Sequence, residues 1–298
     1  MEHTGCRHAL IGLSGGLDSA LALIATATAF DIAGKSRKDI ICVTMPCFGT
    51  SDRTYQNART LAEVFGATLK EIDIKASVTT HLHEIGHPEG QQDVTYENAQ
   101  ARERTQVLMD MANAMNGLVI GTGDLSELAL GWCTYNGDQM SMYGVNAGVP
   151  KTLVRHVVRY YADSYAQEKG KGVLYDILDT PPSPELLPAK NGEIVQRTED
   201  AVGPYELHDF FLCYMLRLSF TPRKIFRLAK KQFAGTYDEE TIKRWLCVFY
   251  KRFFAQQFKR AALPEGVSIG SVTLSPRSGF TMPSDVCGKL WIEEAEEL

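Results

Sequence analysis

A short apolar run, Ala9-Leu10-Ile11-Gly12-Leu13, opens directly into Ser14-Gly15-Gly16-Leu17-Asp18-Ser19, and Ala/Leu-rich sequence at helical spacing follows. Strand, glycine turn and helix in that order commit the start of the chain to an α/β unit, and the same order holds phosphate well. The glycines let the backbone come close to an anion, and the helix that follows points its free N–H groups and positive dipole end at it. No lysine follows, so this is not the Gly-x-x-x-x-Gly-Lys-Ser/Thr loop of ordinary NTPases. Asp18 stands there instead. A carboxylate facing a triphosphate is repelled unless a divalent cation lies between them, so the loop itself predicts Mg²⁺. The plainer alternative is a tight turn with Asp18 as a first-turn helix residue.

The alternation continues. After a first helix over about 17–33 comes a β-rich run, Ile40 to Met45, then Pro46, the loop Gly49-Thr50-Ser51-Asp52 and helical sequence to about Phe65. A third strand reads Thr68 to Asp73, a long helix covers about 95–115, and Leu118-Val119-Ile120-Gly121 forms a fourth strand. Short apolar strands alternating with helices predict an α/β fold, a doubly wound parallel sheet with helices on both faces. Ligands on such sheets bind at the carboxyl ends of strands. The glycine turn, Met45 onward and Gly121-Thr122-Gly123-Asp124 all fall there and make one composite site. From about 151 the chain turns helical. A Pro-rich segment at about 180–204 is long for a connection and reads as a lid or as disordered. The region 205–298 is helical, with Trp245, Phe249 and Phe253 four apart, a spacing that suits core or a subunit contact better than a cofactor box.

The 298 residues allow one large or two modest domains. A net charge of -5 argues against a protein that coats nucleic acid. No apolar stretch reaches membrane-spanning length, and the N-terminus enters a strand within about ten residues, leaving no room for a signal peptide. The seven cysteines never form Cys-x-x-Cys and mostly sit in apolar runs, as free thiols of a cytoplasmic protein do. His81, His83 and His87 with Glu84 fit no His-Glu-x-x-His metal site and fall in a predicted loop. Lys230-Lys231 and Lys251-Arg252 read as solvated helix faces, and Glu293 to Glu297 as a frayed end.

Ser14 to Ser19 resembles the pyrophosphatase loop of the ATP pyrophosphatases, which adenylate a substrate oxygen, release pyrophosphate and then admit a nitrogen or sulfur nucleophile. The loop alone suits GMP synthetase or asparagine synthetase equally. The stretch Gly121-Thr122-Gly123-Asp124-Leu125-Ser126-Glu127-Leu128-Ala129-Leu130-Gly131-Trp132, continuing through Gly137-Asp138 to Asn146 and Thr152, resembles NAD synthetase. It is most similar to the synthetase domain of the two-domain, glutamine-dependent enzymes, as are Asp93 to Arg102 and Phe258 to Pro264.

That resemblance implies ligation of a carboxyl group to ammonia. Deamido-NAD would be adenylated by ATP and then amidated to NAD⁺, leaving AMP and pyrophosphate. It implies that Gly12, Leu13, Ser14, Gly15, Gly16, Leu17, Asp18 and Ser19 hold ATP phosphates. Asp18 and Glu127 would share Mg²⁺; Thr122, Lys151 and Ser183 would touch ATP, Ser183 from the lid. Asn98, Glu127, Trp132, Cys133, Thr134, Tyr135, Asp138 and Lys259 would line the deamido-NAD site, with Arg102 near both ligands. Many single-domain relatives carry lysine where Tyr135 falls. The resemblance also implies a homodimer or higher homo-oligomer with no nucleic-acid partner.

Residue chemistry agrees in several places. Asn98 and Arg102 are four apart and share a helix face. Glu127 in a first helical turn gains from the dipole whatever its role. Trp132 and Tyr135 offer flat faces for a pyridine ring, Lys151 can neutralise a phosphate, and Lys259 has a solvated helix face as its alternative. With only a few residues ahead of the first strand and no partner motif for Cys6, residues 1–298 read as a single synthetase domain lacking the glutaminase domain, using free ammonia or a partner's. The rival readings are another ATP pyrophosphatase such as GMP synthetase and a non-catalytic ATP-binding sensor.

Overall fold

The strand run His8–Gly12 (β1) is buried at its three central residues and pairs on both sides, with Ile40–Thr44 (β2) and Gly117–Gly121 (β4). In a computed structural model that describes residues 1–181, 183, 186–187 and 198–298, five strands form one parallel sheet in the order β3-β2-β1-β4-β5. The outer members are Thr68–Glu71 (β3) and Tyr143–Gly144 (β5). β2 is buried along its whole length, which is why it reads as an unbroken apolar run rather than an alternating one. The third strand stops at Glu71, two residues short of the expected end, and the two-residue β5 gives no pattern a sequence can show.

Because the chain builds outward from β1 to β3 and then returns to β4 on the other side, the order reverses between β1 and β4. That crevice is where a doubly wound sheet binds ligands. On one face lie Leu17–Ile32 (α1), Asp52–Phe65 (α2), Lys151–Ser164 (α6) and Glu168–Leu178 (α7), which share a core with β1 and β2. On the other lie Lys75–Glu84 (α3) and Val94–Met115 (α4). The histidine trio is a correction. His81 and His83 sit in the last turn of α3 rather than in a loop, and His87 Nε2 lies 2.9 Å from Asp93 Oδ1 beside the α4 N-cap.

A third apolar cluster belongs to the C-terminal helices, chiefly Tyr205–Leu218 (α9), Pro222–Gln232 (α10) and Glu239–Ala255 (α11). Phe249 and Phe253 are almost fully buried there with Trp245, so the aromatic stripe is core. Two expectations change. The acidic tail is not frayed: it forms Lys289–Glu296 (α13), docked on α11 with Lys251 Nζ 2.5 Å from Glu296 Oε1. Helix also does not fill the C-terminal region, since 262–288 is largely irregular.

Candidate active site

The turn after β1 needs its glycine. Gly15 has φ +83°, and a Cβ built there would stand 2.0 Å from Thr54 O. Gly16 caps α1 with no side chain bonded across the end, so the first N–H groups of a sixteen-residue helix face the crevice. Ser14 Oγ accepts from Gly16 N at 3.2 Å and pairs with Ser19 Oγ at 3.1 Å, which fixes the turn's shape.

Across the crevice, the loop after β4 leads into Leu125–Leu130 (α5). Asp124 is its N-cap, accepting from Glu127 N through Oδ1 at 2.9 Å. Asn146 ties the two loops together, donating to both Asp18 O and Thr122 O at 2.9 Å. Asp18, Asp124 and Glu127 thereby bring one carboxylate oxygen each within 4.8 Å of one another. Lys151, first residue of α6, puts Nζ 2.7 Å from Asp18 Oδ2, 2.7 Å from Asp124 Oδ2 and 2.8 Å from Glu127 Oε1. The expected pair of Asp18 and Glu127 is brought together, and Asp124 joins it as a residue that sequence reasoning assigned no role.

With three carboxylates around one ammonium, the cluster is short of positive charge. Burial pushes Asp124 well above the usual carboxylate range, against the pull of Lys151. Burial likewise raises Glu127 to about 7, with Lys151 opposing and the Asp18 charge adding to the rise. Burial works against the charge on Lys151, but Asp124, Asp18 and Glu127 together outweigh it and hold the ammonium charged well past its ordinary range. Asp18 Oδ1 is buried with no hydrogen-bond partner. An orphaned oxygen among hard oxygen donors fits a divalent ion of the Mg²⁺ type.

Two residues from α9 complete the setting, both missed by the sequence reading. Tyr205 lies with its ring centroid 5.3 Å from Lys151 Nζ. Asp209 braces the start of α6: Oδ2 accepts from Thr152 N at 3.0 Å and Thr152 Oγ1 at 2.7 Å, and Oδ1 accepts from Ser126 Oγ. Ser126 Oγ in turn accepts from Lys151 N at 2.8 Å.

The residues expected around the second ligand meet in the loop 132–138. Thr134 Oγ1 donates to Asn98 Oδ1 at 2.7 Å, and Arg102 Nε donates to Tyr135 O at 3.3 Å, so the shared α4 face grips this loop. Asp138 Oδ1 accepts from Thr134 N at 2.7 Å. Burial pushes the Cys133 thiol up to about 12, which keeps it un-ionised. Tyr135 is exposed and packs at 5.5 Å against Phe258, whereas Trp132 carries the Arg252 guanidinium 5.3 Å over its ring.

Lys259 is not on a solvated face. Its Nζ donates to Gly131 O at 2.8 Å and Cys133 O at 2.7 Å. Arg260, fully buried, donates to Leu128 O and Ala129 O, and Arg252 Nε to Leu130 O at 3.0 Å. Cations thus satisfy the carbonyl end of α5, where the helix dipole favours them. A cleft of about 670 Å³, its open mouth included, runs from Glu127, Cys133 and Asp138 to Leu263, Thr273 and Ser275. Of the lid at 180–204, residues 182, 184–185 and 188–197 lie outside the described residues. Near Ser183, Leu186 O accepts from Gln100 Nε2 at 2.9 Å, so that part lies against α4.

A phosphate turn at the switch point of a parallel sheet, faced by clustered carboxylates, defines a nucleotide-binding α/β protein. Comparison with known proteins narrows the class. The family model described as NAD synthase matches residues 1–252, and the chain belongs to that family. It is similar to the glutamine-dependent NAD(+) synthetase of Mycobacterium leprae, 46% identical over 312 residues that cover 96% of this chain and 46% of the relative. The chain spans about half the length of such curated relatives. Its fold matches a glutamine-dependent NAD(+) synthetase from Cytophaga hutchinsonii at TM-score 0.79 and 21% identity, over 99% of this chain and 53% of that one. A glutamine-dependent NAD+ synthetase from Acinetobacter baumannii, solved with adenosine diphosphate, matches at TM-score 0.53 and 25% identity over 92% of this chain and 45% of that one.

Proposed function

We infer that the chain carries the ATP-dependent amidation of deamido-NAD to NAD⁺ through an acyl-adenylate, releasing AMP and pyrophosphate. The observation that carries this reading is the phosphate turn at the start of α1, its Asp18 set against Asp124, Glu127 and Lys151 at the switch point. Family membership supports the choice of acceptor.

In the first step an oxygen of the nicotinate carboxylate attacks the α-phosphorus of ATP. The bond from that phosphorus to the bridging oxygen breaks, and its electron pair leaves with pyrophosphate. The turn Ser14 to Ser19, with the free N–H groups that open α1 and the helix dipole, receives the developing charge, and Lys151 neutralises part of it. Thr122, Arg102 and Ser183 contact ATP in this reading. Asp18 and Glu127, with Asp124, would hold Mg²⁺, which when bound draws charge toward the leaving group. In the second step the lone pair of ammonia attacks the acyl carbon, AMP departs with the C–O pair, and the extra proton passes to water. Asn98, Trp132 to Tyr135, Asp138 and Lys259 orient the acceptor. No side chain needs to move a proton, so positioning and charge neutralisation supply most of the rate.

The nitrogen donor is free ammonia or ammonia released from glutamine by an amidase. The reading includes a homodimer or higher homo-oligomer in the cytoplasm, and the seven free thiols support a reducing compartment. Among the described residues no helix is long and apolar enough to cross a membrane.

The test is incubation with ATP, Mg²⁺, ammonium and one of three acceptors: deamido-NAD, its mononucleotide counterpart, or XMP. Equal yields of NAD⁺, AMP and pyrophosphate with the first support the reading. Turnover only with XMP would make the chain a ligase of the GMP synthetase kind. Nucleotide binding with no pyrophosphate release under any acceptor would make it a sensor.

A further inference from the structure

Lys151 stands where a divalent ion would stand. Its Nζ touches one oxygen from each of Asp18, Asp124 and Glu127, the same three carboxylates whose oxygens gather within 4.8 Å. Two cations cannot share a ring that narrow: the ammonium fills it, and their repulsion at such separations is strong where water is excluded. The lysine is also set there by construction. Its backbone N–H is held by Ser126 Oγ, Thr152 beside it is held by Asp209, and the Tyr205 ring lies 5.3 Å from Nζ. With the backbone pinned, any displacement of the ammonium has to come from rotation of the four-carbon stem. The α1 N-terminus, where a triphosphate would lie, borders the ring through Asp18. A bound triphosphate therefore offers the ammonium a second, more highly charged anionic partner.

We propose that Lys151 is the resident counter-cation of the nucleotide-free site, excluding the divalent ion until a triphosphate draws the ammonium off the carboxylates, so that ion and nucleotide enter together. The inference rests on the amidation reading for the identity of the nucleotide as ATP. By linkage, whatever factor ATP contributes to ion affinity the ion returns to ATP affinity.

Mn²⁺ serves as the probe, its binding followed by electron paramagnetic resonance and calorimetry. Wild type without nucleotide should bind it weakly, and wild type with the α,β-methylene analogue of ATP tightly. Lys151→Met without nucleotide should bind it about a hundredfold more tightly than wild type, because no ammonium then competes for the three carboxylates. Lys151→Arg, which keeps the cation, should behave as wild type. Because Lys151→Met leaves three carboxylates facing one another, melting is measured as well: Mn²⁺ alone should raise the Tm of that variant and leave wild type unmoved. Equal Mn²⁺ affinity of nucleotide-free wild type and Lys151→Met overturns the proposal, as does an arginine variant that binds like the methionine one. Wild type that forms NAD⁺ yet binds Mn²⁺ alone tightly would sink this inference and spare the amidation reading. Exclusion of Mn²⁺ without NAD⁺ formation would do the reverse.

Discussion

Gly15 and Asp18 act in the same turn by different means. Gly15 combines a left-handed φ of +83° with a Cβ position 2.0 Å from Thr54 O, so any side chain must push α2 away. Gly15→Ala should cost about 3 kcal/mol or more, read as a lower urea midpoint at unchanged slope. A loss under about 1 kcal/mol would mean that the turn rearranges freely. Asp18→Asn keeps the shape and removes the charge. We expect ammonia-dependent NAD⁺ formation to fall at least about a hundredfold with the circular dichroism spectrum unchanged; an undiminished rate would take Asp18 out of the chemistry. Both residues were legible because turn and carboxylate lie within one short motif. Asp124 was hidden by its own local fitness. An aspartate just before a helix is already explained as an N-cap, and that is one of its two roles. Lys259 was named from the sequence, but what it holds was not: its partners are carbonyls, which carry no sequence signature.

Helix α6 begins at the residue it must aim, and a different helix fixes that beginning. Asp209 on α9 takes the backbone N–H and the hydroxyl of Thr152, 57 residues away along the chain, while also holding Ser126 of α5. Asp209→Asn should therefore lower stability by about 2 kcal/mol, since buried donors lose a charged acceptor. A double-mutant cycle with Thr152→Val should show coupling of about 1 kcal/mol or more; strict additivity would dissolve the brace. Spacing rules operate within an element, so a contact between the starts of two helices on opposite sides of a Pro-rich stretch is invisible to them. What those rules did expose were the elements themselves, such as the apolar runs of β1, β2 and β4 and the long α4. They failed where an element is too short to have a period, as with β5.

At the scale of the whole molecule, the site is a seam. Asp18 and Lys151 sit on helices whose apolar faces join the sheet core, whereas α5, which carries Glu127, plugs Leu125, Leu128, Ala129 and Leu130 into the C-terminal core. The carboxylate cluster exists only while both cores are folded against each other. The C-terminal core also carries a pH liability. His208 is fully buried, bonded through Nε2 to Val202 O at 2.6 Å, and burial pushes its pKa down from 6.5 to about 4. As pH falls the unfolded chain takes up that proton first. Its contribution is complete above about pH 6.5 and drains away toward about pH 4, about 3 kcal/mol in all. Guanidinium melts across that window should show His208→Phe losing less stability with acid than wild type; an identical slope would assign the acid sensitivity to other groups. The parallel sheet and the helical C-terminal core were legible in the pattern of the chain, but their union was not, because it depends on contacts between distant faces. One such contact has a practical meaning. Lys259 and Arg260 reach back to the carbonyls of Leu128, Ala129, Gly131 and Cys133, yet the match to the family stops at residue 252. A piece trimmed there would keep Ser14–Ser19 and Gly121–Trp132 while losing the two clasps that fasten the second, so the span matched by the family model stops short of contacts that its own motif leans on.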